Sequence, residues 1–96
     1  MTHYYYPYIS IFKAMADETR LQIVQMLTYE SMCATDLLQH FDITQPSLSY
    51  HMQILTGCGL VSARREGGRT MYRVRKDKLE LVKKLMETFL EGTALG

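Results

Sequence analysis

Residues 44–59 constrain the chain more than any other stretch. Thr44 reads as a helix N-cap, and Pro46 falls in the first turn, where a missing N–H has no partner to lose. Leu48, Met52 and Leu55 then recur at i, i+4 and i+7, one inward stripe of a helix that Gly57 and Gly59 end. The remaining face offers Gln45, Ser47, Ser49, Tyr50 and Gln53, with His51 at the boundary, and carries no acid. Ahead of it, Leu37, Leu38 and Phe41 predict a short helix over residues 34–41, followed by a tight break at Asp42-Ile43. Two short helices across such a break form a helix-turn-helix candidate, with the second helix presenting short hydroxyl and amide groups able to bond base edges and phosphates.

The period changes after Leu60. Residues 60–65 and 70–74 read as two strands, and Glu66-Gly67-Gly68-Arg69 supplies the positive-φ residues a hairpin turn needs. Upstream, Ile9, Phe12 and Met15 predict a helix over residues 8–16. Asp17 reads as the N-cap of a second helix, with residues 20–27 following. Downstream, Leu79, Val82, Leu85, Met86, Phe89 and Leu90 predict a helix over about residues 77–91, with an apolar stripe wider than a terminal helix needs to cover a small core. The expected fold is mostly α with a small β-hairpin, in the order α-α-α-α-β-β-α. At 96 residues it is expected to form one domain over 1–96.

A net charge of +1 conceals an asymmetry. Residues 1–50 hold two basic side chains against five acids, and residues 51–96 hold nine against five. The basic residues begin at the hairpin, where Arg64, Arg65 and Arg69 flank the glycines, an arrangement suited to lie along a phosphate backbone. Duplex DNA is therefore the expected partner, with Thr44, Gln45, Ser47, Ser49, Tyr50, His51 and Gln53 on the reading helix and Arg65 and Arg69 on the hairpin. A protein-interaction module is the alternative use of the same shape. The exposed polar face argues against it, since protein interfaces favour aromatic and apolar anchors. Enzyme activity is not expected, as there is no nucleophile–base pairing, Gly-rich phosphate loop or HExxH sequence. The start lacks a basic n-region and an apolar h-region, and no apolar run approaches the roughly 20 residues needed to span a bilayer, so a soluble, cytoplasmic protein with no membrane partner is expected.

Several segments resemble the ArsR/SmtB family of repressors. Residues 12–23 (FKAMADETRLQI) resemble the family's opening pattern, 33–38 (CATDLL) its segment at the start of the third helix, and 45–55 (QPSLSYHMQIL) its recognition helix. Leu60-Val61, Arg64 to Gly67 and Tyr72 match its wing, and the likeness spans roughly residues 9–90. The resemblance implies a winged helix-turn-helix homodimer on operator DNA, joined through the first and last helices. Ile9, Phe12, Val82, Leu85, Met86 and Phe89 would lie at that interface. It also implies repression relieved by an inducer, for which arsenite, a soft metal ion or an oxidant are the candidates; a family member with no metal sensing, or with no small-molecule inducer, is the alternative.

The family's arsenite and cadmium/lead sensors carry two cysteines flanking one residue. Here Cys33 matches the first, and Thr35 stands where the second would be and cannot supply a thiolate. Cys58 is the other thiol, so the metal candidates are Cys33 and Cys58. Two readings stand for this pair: small core residues, or thiols that meet as an As(III), soft-metal or redox site. A zinc site on the last helix is not expected, because Asp77 has no histidine beside it there. His3 could add a ligand from the N-terminus.

Overall fold

The computed structural model describes residues 4–92; His3 lies outside them. The order is α1 (Tyr6–Met15), α2 (Glu18–Tyr29), β1 (Met32–Cys33), α3 (Ala34–Leu38), α4 (Gln45–Gly57), β2 (Val61–Glu66), β3 (Arg69–Val74) and α5 (Lys76–Glu91). The five helices and the hairpin expected from the sequence are present, and the hairpin gains a third strand.

Two N-caps start the central helices. Asp17 is extended, and its carboxylate accepts from the Arg20 backbone N–H at 3.0 Å, which opens α2 at Glu18. Thr44 Oγ1 accepts from the Ser47 N–H at 3.2 Å and opens α4, with Pro46 in the first turn. Helix α4 runs two residues beyond Leu55, and Gly59 follows it at φ 84°.

Helix α3 stops at Leu38, short of the expected Phe41. The chain tightens there into i→i−3 bonds, from His40 N to Leu37 O at 3.0 Å and from Phe41 N to Leu38 O at 3.2 Å. Phe41 still packs against the core, but from a turn, so its apolar signal reports burial and not helix.

The added strand changes the expected element order. Met32 pairs with Tyr72 and Cys33 with Met71, so the antiparallel sheet runs β1-β3-β2. In the hairpin, Val61 faces Val74, Ala63 faces Tyr72 and Arg65 faces Thr70. Gly67 and Gly68, at φ 57° and 82°, form a two-residue turn with both central residues in the left-handed region, which matches the right-handed twist of the strands.

Ile11 and Ala14 of α1, Ile23 and Leu27 of α2, Leu37 of α3 and the Leu48-Met52-Leu55 stripe of α4 meet Leu60, Val61 and Val74 in one buried cluster. Each fully buried aliphatic side chain contributes roughly 1.5–3 kcal/mol to holding these elements together. Helix α5 stands apart from that pattern. In 16 residues it buries one side chain, Leu85, and it leaves Leu81, Met86, Phe89 and Leu90 exposed.

Candidate nucleic-acid interface

Because Leu48, Met52 and Leu55 are committed to the core, α4 must turn Gln45, Ser49, Tyr50 and Gln53 to solvent. Tyr50 is 60% exposed. Thr44 and Ser47 are also exposed, but their hydroxyls bond each other at 3.1 Å within the cap. Gln45 and Ser49 line a cleft of about 240 Å³ with Thr35 and Leu38 of α3 and Tyr72 of β3. Ser49 and Gln53 line the adjoining groove with Ala63 and Tyr72. Tyr72 is thus the shared wall between the reading helix and the wing.

Residues opposite each other in an antiparallel ladder share a face, and faces alternate along each strand. Val61, Ala63, Arg65, Thr70, Tyr72 and Val74 therefore face the α4 side. Arg65 sits on that side near the tip, its guanidinium donating to Gly68 O at 2.9 Å and Thr70 Oγ1 at 3.2 Å. The other face carries Ser62, Arg64, Glu66, Arg69, Met71 and Arg73. There Arg73 pairs with Glu66 at 3.0 Å, and Arg69 reaches to 4.0 Å from Cys33 Sγ. The Arg64 side chain has no hydrogen-bond or ion-pair partner among the described residues. The two hairpin arginines singled out from sequence thus point to opposite faces of the ribbon. The two-residue turn already implied this, since it pairs residue 65 with 70 and 66 with 69.

His51 turns away from the polar face. Its side chain is 16% exposed, with Nδ1 3.1 Å from Arg20 Nη1 and 3.9 Å from Asp17 Oδ2. The Arg20 backbone N–H, with help from the nearby Arg20 guanidinium, holds the Asp17 carboxyl below its ordinary value, although desolvation opposes them. Nothing in the sequence pattern signals this cluster, because its members lie on different elements.

Cys33 is buried at the junction of β1 and α3, and Cys58 is half-buried at the end of α4, where Sγ donates to Leu55 O at 3.4 Å. Both are free thiols. Cys33 shares its sheet face with Met71 and has a guanidinium nearby, while Thr35 is exposed and offers a hydroxyl. This segment does not supply the thiolate pair that As(III) or a soft metal requires. Among the described residues, no group of three or more His, Cys, Asp or Glu could hold a metal ion.

A polar reading helix flanked by an arginine-bearing hairpin, on a core of this topology, has close relatives. The model of bacterial regulatory proteins of the arsR family matches residues 17–63. The arsenical resistance operon repressor of Staphylococcus xylosus is 38% identical over 73 residues, 76% of this chain and 70% of that protein. This chain belongs to the arsR family. An ArsR-like transcriptional regulator from Rhodococcus sp. RHA1 superposes with a TM-score of 0.84 at 26% identity, over 92% of this chain and 83% of that one. A second arsR-type structure, the homodimeric winged helix-turn-helix DNA-binding domain Mb0332 of Mycobacterium bovis, gives a TM-score of 0.71 at 29% identity, over 94% and 87% of the two chains. The chain is thus a winged helix-turn-helix transcriptional regulator of the arsR family.

Of the side chains expected at a dimer interface, Ile9 on α1 and Met86 and Phe89 on α5 are exposed, and Phe12 and Val82 are half-buried. Leu85 is buried within the protomer and supports α5 from below. Leu81 and Tyr6 add exposed apolar surface that the stripe pattern did not single out.

Proposed function

We propose that the chain is a homodimeric, sequence-specific repressor whose α4 enters the major groove of its operator while the wing tip follows a phosphate strand. The observation that carries the reading is the division of α4 into a buried apolar stripe and an acid-free polar face bordered by Tyr72 and Arg65. Gln45, Ser49 and Gln53 are the base-reading side chains, with Thr44, Ser47 and Tyr50 toward the backbone. Arg65 meets phosphate from the α4 side, and Arg69 does so only by leaving Cys33. His51 supports α4 from within.

Dimerisation is supported by α5, which buries one of its residues and leaves Leu81, Met86, Phe89 and Leu90 exposed, and by exposed Ile9 and Tyr6 on α1. The homodimeric Mycobacterium bovis relative supports a second copy as the partner. The cytoplasm is the compartment in which such a repressor would meet its operator.

For induction, the donor set separates the candidates. As(III) and soft metals need two or three thiolates where this segment offers one, whereas a thiol-reactive oxidant needs one sulfur and would reach Cys33, which is buried in the folded protomer, only on local opening. Cys33 is placed to pass a change into α3, which it precedes directly.

The test is a gel shift or footprint with the DNA next to the chain's own gene. Binding should prefer one sequence over its scramble and weaken with salt. Absence of any salt-sensitive, sequence-preferring binding overturns the proposal. Titrating the complex with As(III), Cd(II), Zn(II) and oxidant, with Cys33→Ser alongside, identifies the inducer class.

A further inference from the structure

We infer that Arg20 is the positioning residue that sets the angle of the reading helix, by tying His51 of α4 to the end of α1. The inference rests on the DNA-reading role given to α4 above.

The guanidinium is spent in three directions. Nε donates to Ala14 O at 2.6 Å, Nη2 to Lys13 O at 3.4 Å, and Nη1 meets His51 Nδ1 at 3.1 Å. Lys13 and Ala14 lie in the last turn of α1, where the helix dipole is negative and the Lys13 carbonyl has only a long bond from the Ala16 N–H, at 3.3 Å, so an arginine fork belongs there. The arginine is itself anchored, since its backbone N–H is the donor held by Asp17. One residue therefore opens α2, caps α1 and grips α4, across 31 residues of sequence.

The contact also dictates a tautomer. A guanidinium has donors and no acceptor, so Nδ1 of His51 must be the unprotonated nitrogen and Nε2 carries the proton of the neutral ring. A lysine could not replace this arrangement. Its single ammonium cannot reach two carbonyls and an imidazole in a fixed fork.

The consequence is specific to recognition. A dimer must present two α4 helices to half-sites about 34 Å apart, so a tilt in each is felt twice by a two-fold operator. Contacts made by the wing to phosphates tolerate the same tilt. Losing the tie should lower operator affinity and leave non-specific affinity alone.

The experiment uses the full chain, with operator and scrambled duplexes titrated by fluorescence anisotropy over a salt series. Far-UV circular dichroism and melting are recorded for each variant. R20K and H51F should each lose about tenfold in operator affinity, the cost of one charge-assisted hydrogen bond, with unchanged affinity for the scramble and unchanged salt slope. H51N should recover most of the loss, since its amide oxygen can stand near the Nδ1 position. Recovery by H51Q in place of H51N would mean that the ring acts through Nε2 on DNA, and it overturns the inference. Wild-type affinity in H51F overturns it as well. Because R20K could fail to fold, the His51 pair carries the comparison. An imidazole ¹⁵N spectrum of the free protein reads the tie without DNA: Nδ1 should be unprotonated and should shift in R20K. A protonated Nδ1 sinks the inference even if operator binding is intact. An unprotonated Nδ1 that shifts in R20K, in a protein with no operator preference, counts against the DNA-reading role and not against the tie.

Discussion

Phe89→Ala should convert the proposed dimer to monomer. The phenyl group lies on α5, 59% exposed within its own protomer, on a helix whose one buried side chain is Leu85. With about 200 Å² of surface on a phenylalanine, that exposure leaves ~120 Å² for a partner to cover. At ~25 cal/mol per Å² its burial is worth about 3 kcal/mol, of which truncation to Ala forfeits about 2. A two-fold interface meets the substitution in both copies, so the dimer loses about 4 kcal/mol and its dissociation constant rises about a thousandfold. Sedimentation velocity across a dilution series measures this directly. Leu21→Ala on α2 is the control, because Leu21 is 46% exposed but lies on neither proposed interface helix. Two results refute the reasoning: dimers of F89A that persist at the wild-type dissociation constant, or L21A dissociating as readily as F89A.

Other outcomes are specific. Gln45→Ala or Ser49→Ala should cost sequence discrimination by roughly 1–3 kcal/mol in competition footprinting while sparing non-specific binding; equal loss on both would move these residues to the phosphates. Arg65→Ala should weaken all duplexes and reduce the salt slope by about one, and Arg69→Ala should do less, so the reverse ranking in salt-titrated anisotropy would overturn the facing assigned to the wing. Thr44→Ala should cost about 1 kcal/mol in urea unfolding, since Thr44 Oγ1 accepts from the Ser47 N–H. The Arg20 N–H holds the Asp17 carboxyl below its ordinary range, so its contribution is complete above the unfolded carboxylate value and is lost as pH falls through the lower, folded value. Acid titration of stability should therefore be shallower in Asp17→Asn, and an identical profile would show that the cap is energetically silent.

Much of this architecture could be read from local chemistry. Asp17 and Thr44 are capping residues whose role depends on a backbone N–H three residues away, so a single sequence shows it. The Gly67-Gly68 turn and the Leu48-Met52-Leu55 stripe are equally local. What escaped depends on the rest of the fold. A strand of two residues has no alternation to detect, and β1 exists because β3 offers it an edge. Phe41 satisfied a helical period while sitting in a turn. The facing of Arg65 against Arg69 was available in the turn length but required the ladder to be counted through. The Arg20–His51 contact joins α2 to α4 and has no sequence signature at all.

The strand order also bears on how the protein survives at high concentration. With β3 in the middle, β2 presents an outer edge of unpaired backbone groups, which is a template for another chain to extend. That edge is occupied by Arg64-Arg65-Glu66, exposed and mostly of one sign, so two such edges repel before their backbones can pair. The charges that would hold the wing to phosphate also guard it against aggregation. Replacing Arg64, whose side chain has no partner within the described chain, by a β-branched apolar residue would remove that guard without touching a side-chain hydrogen bond.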